Sequence, residues 1–119
     1  MITVLLLALV IALVYAGYCL YRSAHLSEEL QSTIAEGALI LDVRTEKEYA
    51  AGHINGAANI SLGTIRKRYK ELDPQKAYIT YCSHGLRSVK AANLLRERGF
   101  KQVYNGGARE DLEKLMKPH

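Results

Sequence analysis

The chain has 119 residues, with 16 Lys+Arg against 12 Asp+Glu, and its first 21 residues carry none of those charges. The rest is one small domain's worth of chain, with room for a modest core. A net charge of +4 is too small and dispersed for a nucleic-acid binder, and it suits small anionic substrates or a nearby anionic lipid surface.

Ile2 to Tyr21 is 20 residues of almost unbroken apolar character. As a helix it would span roughly 30 Å, the thickness of a bilayer's hydrocarbon core. Tyr15, Tyr18 and Tyr21 cluster at its downstream end as an interfacial belt would, and Arg22 ends it. A cleaved signal peptide is the competing reading, with Val14-Tyr15-Ala16 as the cleavage site. No Lys or Arg precedes the run, however, and it is long for a signal core. Residues 1–22 are therefore expected to be a retained transmembrane anchor and residues 23–119 the domain. The only positive flank is on the C-terminal side, which predicts a single-pass protein of a bacterial inner membrane with the domain in the cytoplasm. Cys19 lies in the anchor and Cys82 in a distant loop, so no disulfide framework is expected.

Leu26, Leu30 and Ile34 recur every fourth residue before Gly37, predicting a short amphipathic helix with a glycine cap. Ala38 to Val43 reads as a buried strand. Thr45-Glu46-Lys47-Glu48 fits a capping box opening a helix that Gly52 cuts short. Asn55-Gly56 marks a turn, and Ala57 to Ile60 reads as a brief strand. Ser61 to Leu72 is expected to be helical up to the turn at Asp73-Pro74. Ala77 to Tyr81 is the next strand, and it delivers the chain to Cys82. Ser88 to Arg98 reads as a helix with Val89, Ala92, Leu94 and Leu95 inward and Gly99 as its cap. Lys101 to Tyr104 is a last short strand, Asn105-Gly106-Gly107 a turn, and Ala108 to Met116 a final helix with Leu112 and Leu115 facing in. Strands alternating with helices predict an α/β fold: a parallel sheet with helices on both faces, preceded by one N-terminal transmembrane helix. Ligands in such folds bind beyond the carboxyl ends of the strands, where Cys82 falls.

The loop Cys82-Ser83-His84-Gly85-Leu86-Arg87-Ser88 carries the chemistry. A thiol must ionise to act as a nucleophile. Three features favour the anion: the N-terminus of the following helix, a tight turn at Gly85 that can aim backbone N–H groups inward, and the guanidinium of Arg87. The alternative is a buried structural cysteine before a helix start.

The loop resembles the C-x-x-G-x-R-S active-site pattern of the single-domain rhodaneses. Asp42-Val43-Arg44-Thr45-Glu46-Lys47-Glu48-Tyr49 and Gly52 to Ile60 are similar to that family's D-V-R-x-x-x-E-[FY]-x-x-G-H-I-x-G-A-x-N-I. The resemblance covers about Leu30 to Met116. It implies a thiosulfate sulfurtransferase in which Cys82 takes a sulfane sulfur as a persulfide and passes it to a thiol or cyanide. Ser83, His84, Gly85, Leu86, Arg87 and Ser88 would form the binding loop, with Arg87 on the donor's oxygens and Ser88 either hydrogen-bonding the sulfur or, the favoured role, capping the helix. Asp42, Arg44, Glu48 and His53 read as structural support, the first three as one salt-bridge set behind the site. The implied partners are a small anionic sulfur donor, a small-molecule or protein thiol acceptor and the membrane, with no nucleic acid. No cofactor is implied, and His25, His53, His84 and His119 show no metal spacing. Many family members have a tryptophan shortly after the Gly-Gly turn, and Asp111 stands near that position here.

Two other readings compete. Phosphatases and rhodanese-like arsenate reductases use C-x5-R around a tetrahedral oxyanion, whereas four residues separate Cys82 from Arg87. A membrane-tethered sulfur-carrier or binding module is the non-enzymatic alternative. The basic run Arg66, Lys67, Arg68 and Lys70 reads as a solvated face, with lipid headgroup contact as the alternative.

Overall fold

The computed structural model describes residues 1–117; Pro118 and His119, at the end of the expected 23–119 domain, lie outside the described residues. Helix α1 runs unbroken over Ile2–Ala35, so the apolar segment and the amphipathic segment expected separately are one rod. No proline or glycine interrupts residues 18–36. The hydroxyls that would compete with the helix are also satisfied within it: Ser27 donates to the Ser23 carbonyl and Thr33 to that of Glu29. The rod ends in a Schellman cap, with Gly37 N–H on the Ile34 carbonyl and Ala38 N–H on that of Thr33.

The elements that follow are β1 (Leu39–Asp42), α2 (Glu46–Ala51), β2 (Ala58–Asn59), α3 (Ile65–Arg68), β3 (Ala77–Cys82), α4 (Leu86–Glu97), β4 (Gln102–Ala108) and α5 (Arg109–Met116). The four strands form one parallel sheet in the order β2-β1-β3-β4, with β1 and β3 central. One face packs on α3 and α4 through Leu41, Val43, Ile65, Tyr78, Ala91, Ala92, Leu95 and Phe100. The other packs Ile40, Ile79, Tyr81 and Leu112 under α5, with Leu30 and Ile34 of α1 against the same cluster.

Three sequence expectations are corrected. The helix expected over Ser61–Leu72 is only the four residues of α3 followed by a 3-10 turn at Tyr69–Glu71. In α4 the inward stripe is Ser88, Ala91, Ala92 and Leu95, spaced i, i+3, i+4 and i+7, with Leu94 beside it. Val89 lies about 100° from Ser88 around the helix and is exposed. The expected turn at Asn105-Gly106-Gly107 is strand: β4 continues to Ala108 through a bulge, pairing Thr80 with Asn105 and Tyr81 with Gly107. Gly106 is the extra residue. A Cβ there would lie 2.8 Å from the Thr80 carbonyl oxygen and from Ile79 Cγ2, so only glycine lets β4 run this close to β3 and α5.

Candidate active site

Cys82 is the last residue of β3, 1% exposed, and the chain turns over it into α4. Gly85 caps α4 with φ +98°, a left-handed conformation that glycine adopts without steric penalty. That turn aims the Gly85 N–H at the Cys82 sulfur, 2.9 Å away. Burial pushes the Cys82 thiol up, but the N–H groups of Ser88, Gly85 and His84 and the Ser88 hydroxyl outweigh it and hold the thiol below its ordinary range. The sulfur thus lies at the N-terminus of α4 with the Gly85 N–H aimed at it.

Ser88 does not cap the helix as expected, because α4 begins two residues earlier. It is fully buried behind the sulfur. Its hydroxyl lies 2.6 Å from Asn105 Oδ1 and 2.9 Å from the Gly85 carbonyl, and the same side-chain oxygen of Asn105 accepts the Gly107 N–H at 3.0 Å. The β4 bulge thus holds the back of the loop. Asn105 was missed by sequence reasoning because Asn-Gly-Gly is the composition of a turn.

Below the loop, Asp42 is fully buried and accepts three side-chain bonds from Arg44, Nε to Oδ1 at 3.0 Å and to Oδ2 at 3.1 Å and Nη2 to Oδ2 at 2.7 Å. Arg44 also donates to the Gly52 carbonyl at 2.6 Å. Tyr81 completes this set: its hydroxyl donates to Asp42 Oδ2 at 2.7 Å and accepts the Ile54 N–H at 3.0 Å. Burial is the main cause that pushes the Tyr81 phenol up to about 12, so it stays a donor. The residue before the nucleophile is thereby locked. Its signal in the sequence was a tyrosine at the end of a strand buried on both faces, where a phenol needs a partner.

Glu48 does not belong to that set, contrary to expectation. It closes the capping box with Thr45 and forms a two-pronged ion pair with Arg87, at 2.7 and 3.0 Å. Ser83 donates to Glu48 Oε2 at 3.2 Å. The Arg87 guanidinium holds the Glu48 carboxyl well below the usual carboxylate range. The loop's one fixed cation is therefore compensated by an acid from α2, 39 residues upstream, which no local pattern reveals. His84 and Leu86 are exposed on the loop, Leu86 by 77%. His53 lies apart from the sulfur, stacked on the Tyr49 ring at 3.7 Å with Nδ1 on the Tyr49 carbonyl, and Tyr49 OH donates to the Ala57 carbonyl. This pins the turn between α2 and β2.

The family profile of the Rhodanese-like domain matches residues 26–111. This chain belongs to the rhodanese-like family. It is 30% identical over 107 residues to YqhL of Bacillus subtilis, covering 82% of this chain and 85% of YqhL. It is 36% identical over 67 residues to the thiosulfate sulfurtransferase GlpE of Coxiella burnetii, covering 56% of this chain and 63% of GlpE. The solved structure of a human single-domain sulfurtransferase, TSTD1, superposes with a TM-score of 0.60 at 31% identity, over 73% of this chain and 92% of that one. The chain is thus a rhodanese-like protein with sulfurtransferases among its relatives.

Proposed function

We propose that this protein is a membrane-anchored sulfurtransferase working through a Cys82 persulfide, with thiosulfate or a similar small anion as donor. The observation that carries this reading is the Gly85 N–H aimed at the Cys82 sulfur, 2.9 Å away, where the chain turns into α4. The Cys82 thiolate attacks the outer sulfur of the donor. The donor's S–S bond breaks, and sulfite leaves with the bonding electron pair. The charge passes to the outer sulfur of the persulfide, where the loop's N–H groups stabilise it. An acceptor thiolate or cyanide then attacks that outer sulfur and returns Cys82 as thiolate. Arg87 takes part by exchanging Glu48 for donor oxygens, which match the same fork geometry. The four-residue spacing from Cys82 to Arg87 encloses a sulfur atom better than a phosphoryl group.

The anchor is Ile2 to Tyr21, the exposed apolar part of α1, whose best window has mean hydropathy 2.5. Arg22 on its C-terminal flank favours a cytoplasmic domain in a bacterial inner membrane.

Mass spectrometry of the intact protein after thiosulfate treatment tests the chemistry. Gain of one sulfur atom on Cys82, absent in Cys82→Ser, is expected. An unmodified wild-type protein that hydrolyses an aryl phosphate would refute the reading. Protease added to spheroplasts should leave the domain intact if it is cytoplasmic.

A further inference from the structure

α1 is antiparallel to the sheet beside it. Thr33 shares a cleft with Ala77 and Gln102, at the starts of β3 and β4. Leu26 and Leu30 share another with Tyr104 and Asn105, further along β4. Moving toward the N-terminus of α1 therefore means moving toward the carboxyl ends of the strands. From Gln102 to Ala108 the strand rises about 20 Å. Thirteen helical residues cover about the same length, from Thr33 to Leu20. Starting instead from Leu30 opposite Tyr104, the four strand residues to Ala108 rise about 13 Å, which nine helical residues match at Tyr21. Ala108 pairs in register with Cys82. Both routes set the nucleophile level with Leu20–Tyr21, where the uncharged segment ends and Arg22 begins.

We propose that the mouth of the Cys82 site faces the membrane at headgroup depth, so that the surface partner of this edge is the lipid bilayer itself. The sulfur donor or acceptor it takes is then one dissolved in, or tethered to, the headgroup layer. The inference rests on α1 being a membrane anchor. Leu86, beside the site and 77% exposed, is the apolar side chain that this edge offers to lipid. The opposite edge, with the turn at Asp73–Gln75, faces bulk water.

The chain contains no tryptophan, so single substitutions report their own depth. Val10→Trp, Leu86→Trp and Gln75→Trp forms of the full chain are reconstituted in phosphatidylcholine vesicles. Quenchers are a nitroxide on the lipid headgroup or bromine deep in the acyl chain. Deep bromine should extinguish Val10→Trp, and the headgroup nitroxide should remove most emission of Leu86→Trp while sparing Gln75→Trp. If Val10→Trp is quenched but Leu86→Trp is spared as Gln75→Trp is, the orientation is wrong and the anchor stands. If Val10→Trp is unquenched, the anchor fails and the inference with it.

Discussion

Glu48→Gln isolates the effect of the acid on the loop's cation. The amide oxygen of Gln can still accept from Thr45, so the capping box survives while the ion pair with Arg87 loses its charge. Both side chains are about one-third exposed, 34% for Arg87 and 35% for Glu48. Solvent screening then limits the pair to the upper end of the range for exposed pairs, about 1 kcal/mol. An anionic donor competing for Arg87 no longer has to displace that carboxylate, so its KM should fall about fivefold, at roughly 1.4 kcal/mol per tenfold. Initial rates of thiocyanate formation, with thiosulfate varied at fixed cyanide, give KM and kcat separately; kcat should change little. Arg87→Gln should raise the same KM. An unchanged or higher KM in Glu48→Gln, with an unchanged melting temperature, would refute competition and make Glu48 the positioner of Arg87 for the donor. Acidification adds a check. The folded-state pKa of Glu48 is depressed, so the pair's contribution is present above the unfolded carboxylate pKa and is lost only as pH falls through the lower folded value. The KM ratio of variant to wild type should therefore stay constant from about pH 8 to pH 5.

Ser88→Ala removes one of the donors that lower the Cys82 thiol. The pH midpoint of its alkylation by iodoacetamide should move up and the rate at neutral pH fall, and an unmoved midpoint would assign Ser88 to the Asn105 contact alone. Tyr81→Phe leaves the buried Ile54 N–H without its acceptor and takes a donor from Asp42, which should destabilise by about 1–3 kcal/mol in urea unfolding. Gly106→Ala forces a Cβ against the Thr80 carbonyl, which cannot move without breaking the sheet. A loss of about 2 kcal/mol, or roughly 10 °C in melting temperature, is expected; a shift within scatter would mean that the bulge yields.

Local patterns were legible in the chain wherever neighbours in sequence supply the physics. Strands β1 and β3 announce themselves as short buried apolar runs, the capping box at Thr45–Glu48 as spacing, and the Cys82 loop as a cysteine, a glycine and an arginine before a helix. The apolar run from Ile2 to Tyr21 is of the same kind. Tertiary structure decided what depends on residues far apart. Only the folded sheet brings Glu48 onto Arg87, carries Tyr81 to Asp42 across 39 residues, and turns Asn105 from a turn former into the support of Ser88. The same is true of the direction of α1. Its periodicity shows an apolar face but not whether it runs with or against the strands; packing of Leu30 and Ile34 on the sheet sets that. Hydrogen bonds and ion pairs act over a few ångströms of space, whatever the separation along the chain, so the order of the residues does not say which of these side chains meet.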